Sequence, residues 1–406
     1  MLFSFMCNLH DEELQDKVRK PQLNSGKCAM LLKKILITVA ATMAFVANVY
    51  ASEPIKIGVY LPLSGQNAFG GQLEIRGIEL AHKKVPEILG RKVELIIIDN
   101  KSDKVEAANA VMRLTASEKV SGIIGTYGSS LSLAGGEISE KAKTPTIATS
   151  STNPLVTQGK KYYFRTCFID SYQGIGIATY VSQTLHAKRA AILKDISSDY
   201  AIGLSSYFTR AFKKLGGKII SNLNYNSGDQ DFSAVLTQII AQKPDILFIP
   251  SYFSEGAIIM KQARELGAKF QIMGGDAMDN PETITIAGEA AEGFLHTTLP
   301  YSENMPNMSK AAQEFTTKWR EAYPDKEPNI NSVLGYTSYM MFMKAIENAG
   351  NADREKITTE LSKLKDFQTP FGDMTMDENH NPKIPIGIIE IKNGKRVYLD
   401  EVKPAF

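Results

Sequence analysis

From Ile55 onward, short β-branched runs alternate with longer segments whose apolar residues recur at helical spacing. This alternation is the signature of β-α-β units, in which buried parallel strands are joined by amphipathic helices. In the first half it predicts strands over Ile55 to Tyr60, Val93 to Ile98, Gly122 to Gly125 and Pro145 to Ala148. In the second half it predicts them over Ala190 to Leu193, Lys218 to Ile220, Asp245 to Ile249 and Phe270 to Met273. Between them, stripes such as Ala108, Val111, Met112 and Phe232, Val235, Leu236, Ile239 read as the core faces of helices. Asp103 followed by Glu106 predicts a capping box opening one helix.

The two halves match at a nearly constant offset. Phe69 falls on Tyr200 (offset 131), Tyr127 on Tyr252 (125), Ser129 on Ser254 (125) and Ser150 on Asp276 (126), which implies an internal duplication. Each matched position follows a predicted strand, at the carboxyl edge where open α/β sheets bind ligands. Two such edges face to face make a cleft. Helices are then expected over about Ser309 to Tyr323 and Val333 to Ala349, followed by a hairpin pairing Phe371 to Asp377 with Ile384 to Ile391. A chain that finishes both lobes after the second repeat must cross between them more than once, so a multi-crossover hinge is expected.

The N-terminal region bears on compartment. Lys33 and Lys34 precede an uncharged stretch from Ile35 to Ala47, and Val49-Tyr50-Ala51 suits a cut before Ser52. That is the pattern of a secretory signal peptide at residues 30–51. The 13 residues of that stretch, mostly apolar, fall short of the roughly 20 that a membrane span needs. Residues 1–29 are expected to be a mis-assigned or disordered leader, with Met30 the true start. Cleavage removes six basic and four acidic residues from totals of 46 and 44, leaving a neutral remainder with Cys167 as its only cysteine. No internal disulfide can then form, and Cys28 precedes the apolar stretch, so it is not placed to be lipidated. A soluble periplasmic protein is expected. Its 43% hydrophobic and 22% charged residues are those of an ordinary globular chain, with no run of like charge to bind a phosphate backbone.

Searches for catalytic chemistry return little. The chain has no phosphate-binding Gly-x-x-x-x-Gly-Lys-Ser/Thr, no nucleophile elbow and no His-Glu-x-x-His. Gly174-Ile175-Gly176 lacks the third glycine of a dinucleotide fingerprint. His82, His186, His296 and His380 have no partner at metal spacing, and Asp276, Asp279 and Asn280 lack the spacing of a calcium loop. No cofactor, metal or catalytic residue is expected.

What remains is a concentration of hydroxyls, aromatics and one acid at strand ends. Ser129 and Ser130 open a helix, whose first N–H groups favour an anion. Ser150, Ser151 and Thr152 end the next strand, and either cluster alone serves equally well as a helix cap. Both lie on one sheet edge, opposite a lobe that offers Asp276. A carboxylate in a closed cleft calls for a cation, which an α-ammonium supplies. Phe69, Tyr127, Tyr200 and Tyr252 would wall the remainder with apolar faces and phenol hydroxyls. The ligand so described is an amino acid.

On these residues the chain resembles the periplasmic branched-chain amino-acid-binding proteins of ABC transporters. The resemblance runs from Ile55 to Glu390. It is carried by Leu63-Ser64-Gly65, Phe69-Gly70, the Gly125 to Ser130 turn, Thr149 to Pro154, Arg165-Thr166, Asp170 to Gly174, Asp199-Tyr200, Gln262 to Gly267, Ala287 to Gly293 and Gly372 to Asp377. It implies two Rossmann-like α/β lobes with parallel central sheets and a multi-crossover hinge, the type I periplasmic binding protein or Venus flytrap. The first lobe would comprise residues 53–170 and 300–380, the second 171–299 and 381–406. It implies that the Ser129 and Thr152 side chains with the Ser150 backbone hold a ligand carboxylate. Asp276, helped by Thr152 and the Ser150 carbonyl, would hold the ammonium. Phe69, Tyr127, Tyr200 and Tyr252 would line the pocket, the second-lobe tyrosines closing over the ligand.

This chain has Asp at 276 where some members have Glu, and Tyr127 where leucine-specific relatives have a smaller apolar residue. Gly128, with Cys167 alone, leaves no place for the first-lobe disulfide of some members. The implied role is a non-enzymatic, monomeric receptor that delivers an amino acid, aliphatic or branched-chain, to a membrane permease. The alternatives are a binder of an aromatic carboxylate or amide on the same fold, and a ligand sensor.

Overall fold

The computed structural model describes residues 53–305 and 307–406; the signal peptide and leader expected over residues 1–51 lie outside them. The first half is built from β1 (Ile55–Leu61), α1 (Ala68–Lys84), β2 (Glu87–Ile88), β3 (Arg91–Asp99), α2 (Lys104–Met112), β4 (Gly122–Ile124), α3 (Ser129–Lys141), β5 (Thr146–Ala148) and β6 (Tyr163–Arg165). The second contains α4 (Asp170–Thr179), β7 (Arg189–Asp195), α5 (Asp199–Lys214), β8 (Lys218–Tyr225), α6 (Ser233–Ala241), β9 (Ile246–Ile249), α7 (Phe253–Glu265), β10 (Gln271–Gly274), α8 (Pro281–Ala287) and β11 (Leu295–Thr298). The tail adds α9 (Lys310–Ala322), α10 (Ile330–Ala349), α11 (Arg354–Ser362), β12 (Phe367–Thr369), β13 (Gly372–Met374), β14 (Ile386–Lys392) and β15 (Lys395–Val402).

The strands form two sheets of one topology. The first has the order β2-β3-β1-β4-β5-β6 and the second β15-β14-β11-β10-β9-β7-β8, so that β3-β1-β4-β5-β6 corresponds to β8-β7-β9-β10-β11. Both correspondences are parallel throughout. All eight predicted strands are present. Their continuous apolar runs follow from coverage on both faces: in β9, Ile246 and Phe248 join one core cluster while Leu247 and Ile249 join another. The chain passes between the sheets three times, after β6, after β11 and before β14, which is the expected multi-crossover hinge.

The tail departs from expectation in its pairing. The anticipated hairpin of 371–377 with 384–391 does not form. Instead β13 pairs with β12, and β14 lies between β15 and β11 as an antiparallel extension of the second sheet. An isolated bridge joins Met376 to Pro382, a residue of the expected turn and not of the second expected strand. The apolar run of β14 fits a strand with neighbours on both sides, which the short polar turn before it had disguised as one arm of a hairpin. Asp103 caps α2 as expected, accepting from the Val105 and Glu106 amides, but Glu106 does not reciprocate and lies 3.5 Å from Lys101 instead.

Helix α10 is buried over most of its length and seals the first lobe against α1. The two helices cross so closely that glycine is required on both. A Cβ on Gly77 would lie 1.9 Å from the Ser332 carbonyl oxygen, and one on Gly335 2.1 Å from that of Glu74. Backbone oxygens cannot yield as side chains do. Gly77→Val is therefore expected to destabilise the protein by about 3 kcal/mol or more in urea unfolding; a change within 0.5 kcal/mol would show that the crossing is looser than described.

Candidate ligand-binding site

The carboxyl edges of the two sheets meet, and the contacts across them are specific. Ser130, in the first turn of α3, donates its hydroxyl to Asp199 Oδ2 at 2.7 Å and accepts from the Asp199 amide at 3.0 Å. Asn153 Nδ2 donates to the Asp199 carbonyl at 2.8 Å. The Phe69 ring meets Phe253 edge-on at 6.2 Å, and Tyr252 packs between Tyr127 at 5.6 Å and Tyr200 at 5.5 Å. These contacts close tightly over a small cavity of about 10 Å³.

On the first lobe the cavity is walled by two strand-end turns. Gly128 ends the first, at φ 96°, a left-handed conformation that favours glycine, and a Cβ there would come within 3.2 Å of the Tyr252 hydroxyl. The turn delivers Ser129 to the start of α3, where unpaired helix amides and the helix dipole favour negative charge. The second turn, Thr149 to Pro154, is fastened from behind. Arg165 is wholly buried and donates to the Ser151 carbonyl at 2.7 Å, the Asn153 carbonyl at 3.0 Å and the Thr157 hydroxyl at 3.0 Å. Thr166 Oγ1 holds the Thr149 carbonyl at 2.6 Å, and Ser151 Oγ donates to the Thr126 carbonyl at 2.7 Å, tying the two turns together.

On the second lobe the acid is Asp276, directly after β10. Its Oδ1 accepts from Gln173 Nε2 at 2.9 Å and from the Tyr200 hydroxyl at 3.0 Å, while its amide donates to Gln173 Oε1 at 3.1 Å. Burial raises the Asp276 carboxyl to about 6, against the lowering effect of Gln173 and Tyr200. No cation pairs with it among the described residues. Among the buried polar atoms that have no hydrogen-bond partner within the described residues are the Tyr127 hydroxyl and Thr152 Oγ1. Each such group costs about 1–3 kcal/mol until it is satisfied.

Six of the eight residues singled out in the sequence line this cavity: Tyr127, Ser129, Ser150, Tyr200, Tyr252 and Asp276. Phe69 and Thr152 do not. Phe69 is taken up by Phe253 at the cleft edge, and Thr152 lies behind the wall. The Ser150 hydroxyl turns away from Asp276 and lies 2.5 Å from Glu74 Oε1. Leu299, Ile330 and Leu334 supply apolar walling that sequence reasoning missed, because the tail brings them in from outside the duplicated units. Three polar positions were missed as well, Asn331 on the cavity wall among them. Gln173 had no sequence signal, being one polar residue on a glycine-rich helix. Glu74 did have one, since it interrupts the buried stripe of Leu73, Gly77, Ile78 and Ala81 on α1.

Among the described residues no group of histidine, cysteine or acidic side chains is placed to hold a metal, and no helix is long and apolar enough to cross a membrane. Cys167 is buried, and burial pushes its thiol far above the ordinary range, which disfavours the thiolate.

Comparison with known proteins agrees with this geometry. A leucine binding protein, LivK, of Thermotoga maritima MSB8 is 41% identical in sequence, with a TM-score of 0.83 over 86% of this chain and 99% of that one. The branched-chain amino acid transporter substrate binding protein LivJ of Streptococcus pneumoniae, solved with isoleucine, is 32% identical, with a TM-score of 0.81 over 87% of this chain and all of that one. Among curated proteins, a Leu/Ile/Val-binding protein homolog of Brucella suis is 28% identical over 354 residues, 86% of this chain and 92% of its own length. The family model described as periplasmic binding protein matches residues 54–396. With that match covering most of its length and a cleft built between two duplicated sheets, the chain belongs to the periplasmic binding protein family, in its type I architecture.

Proposed function

We propose that this protein is the extracytoplasmic solute-binding receptor of an ABC importer and that it captures a small amino acid, aliphatic or branched-chain, by closing two lobes around it. The observation that carries this reading is the pairing, within one small cavity, of a helix N-terminus at Ser129 with a half-buried acid, Asp276, that has no cation partner among the described residues. Those are complementary to the two charges of a zwitterion. The relatives named for leucine and isoleucine support the ligand class.

In this reading the carboxylate lies against the α3 N-terminus, held by Ser129 and the Ser150 backbone. The ammonium lies against Asp276, whose carboxylate Gln173 and Tyr200 orient. Tyr127 and Tyr252 enclose the side chain with Tyr200, and Phe69 guards the cleft edge through Phe253. Ligand first meets one lobe. Closure then follows in proportion to the extra contacts that the second lobe adds in the closed state. Residues 53–170 with 300–380 act as one lobe and 171–299 with 381–406 as the other, the three crossings between them flexing as the hinge. The closed form is the one offered to a membrane permease. The protein works as a monomer in the periplasm after cleavage near Ala51, without a lipid anchor, and performs no catalysis.

The aromatic-carboxylate alternative is weaker on a specific ground. Such a ligand would leave Asp276 buried beside it with no cation, and removing the partner of a buried charge is costly.

Two outcomes check the reading. Calorimetric titration of refolded, ligand-stripped protein against each common amino acid is expected to give saturable binding of one or a few, and Asp276→Ala to weaken it by about 2–5 kcal/mol. Wild-type affinity in that variant would remove Asp276 from the ammonium site. Ser129→Ala is expected to cost less, about 1 kcal/mol, because the backbone donors of α3 remain; a loss equal to that of Asp276→Ala would move the anion site onto the side chain.

A further inference from the structure

Glu74 stands out as a buried acid that the scheme above leaves unused. It sits on α1 with no exposure to solvent, beneath the crossing with α10, where Gly335 packs directly on its backbone. Its two oxygens meet only hydroxyls: Thr149 Oγ1 lies 2.6 Å from Oε2 and Ser150 Oγ 2.5 Å from Oε1. The titratable groups whose fields reach it are the Tyr127 phenol and the Cys167 thiol, both pushed up by burial and so neutral. Across the cavity Asp276 is a further acid. The enclosed cation of the same lobe, Arg165, is committed to the oxygens of Ser151, Asn153 and Thr157. A carboxylate here would be buried without a counter-ion, which is the costliest state available to it.

The proton matters because of what it does to Ser150. If Glu74 is ionised, both hydroxyls must donate inward to it, and Ser150 turns only lone pairs toward the cavity it lines. If Glu74 is a carboxylic acid, it donates one hydrogen bond itself. Thr149 is wholly enclosed, so the hydroxyl released by that donation is the one at the cavity wall. Heavy-atom distances are the same in the two cases.

We infer that Glu74 is a protonated positioning residue whose proton, donated to Ser150 Oγ, turns the Ser150 hydroxyl outward as an additional donor to the ligand carboxylate. This rests on the amino-acid reading of the cavity. It places a charge-neutral relay behind the anion site, built from an acid on α1 and a hydroxyl on the β5 turn. Binding then depends on a group that never touches the ligand. Burial raises the Glu74 carboxyl to about 8, with the two hydroxyl bonds acting in the opposite direction, which leaves it largely protonated at neutral pH.

The test compares wild type with Glu74→Gln, whose amide mimics the protonated acid at every pH, by two measurements. In calorimetric titration with the amino acid that binds, wild-type affinity should weaken on the order of tenfold from pH 7 to pH 9, as the binding-competent protonated fraction falls. Glu74→Gln should show none of that added loss; the ligand's own ammonium titrates equally in both. In ligand-free thermal unfolding, the folded-state value lies above the unfolded one of 4.5, so the folded protein keeps a proton that the unfolded chain releases. Wild-type stability relative to Glu74→Gln should therefore fall between about pH 4.5 and pH 8 and be flat above. Asp276 titrates in both proteins and cancels from the difference. Identical pH profiles of affinity, or a loss of binding in Glu74→Gln at pH 7 as large as in Glu74→Ala, would overturn the relay. If no amino acid binds either protein while the unfolding difference appears as described, the ligand reading fails and the protonated Glu74 stands.

Discussion

Arg165 carries the only guanidinium in the described part of the chain that is wholly enclosed, and its donors go to oxygens of Ser151, Asn153 and Thr157 and not to an acid's carboxylate. That choice shapes the cleft. Carbonyls of the 149–154 turn are drawn backward into the lobe, so the turn's remaining polar groups, including those of Ser150, face the other way. A buried Arg is expensive to desolvate, and burial depresses its proton affinity, yet multidentate bonding to backbone oxygens compensates for much of that cost. The result is a rigid wall, and rigidity is what gives a binding turn its geometry before ligand arrives.

Against that wall the structure sets several buried acids and treats them differently. Asp276 keeps two hydrogen-bond donors, from Gln173 and Tyr200, and rises only to about 6. Glu74 has two hydroxyls but deeper enclosure and rises to about 8. Asp170, also enclosed, is raised well above its ordinary value by burial and then by the field of Asp276, with Arg165 acting in the opposite sense. Identical chemistry thus yields two carboxyls raised by burial to different extents. The difference lies in the surroundings, as it does for paired carboxyls in many active sites.

The lobes also touch through groups that have no part in holding a zwitterion. Ser130 and Asn153 grip Asp199, and Phe69 meets Phe253. Such contacts stabilise the closed arrangement seen here, whatever occupies the cavity. Asp199 is half-exposed, so its bonds compete with water and contribute modestly, which leaves the ligand to decide the balance.

Much of the architecture was legible in the sequence. Continuous β-branched runs located every parallel strand of the two sheets except the short β6 and β11, because burial on both faces leaves no room for polar alternation. The repeat offsets placed Tyr127 opposite Tyr252 and Ser150 opposite Asp276, since duplicated units put equivalent positions at equivalent sheet edges. The pairing of β14 was not legible, because a strand's partner depends on which neighbours lie within hydrogen-bonding reach and not on its own pattern. Nor could local pattern show that Ser150 turns toward Glu74, 76 residues earlier, or that Gln173 braces Asp276, 103 residues later. Composition and periodicity determined the fold class, the duplicated halves and the sheet edges that face each other, because those follow from local burial. Only the tertiary structure decided which side chains share the cavity and which acids burial raises most, because desolvation and hydrogen bonding are set by groups far apart along the chain.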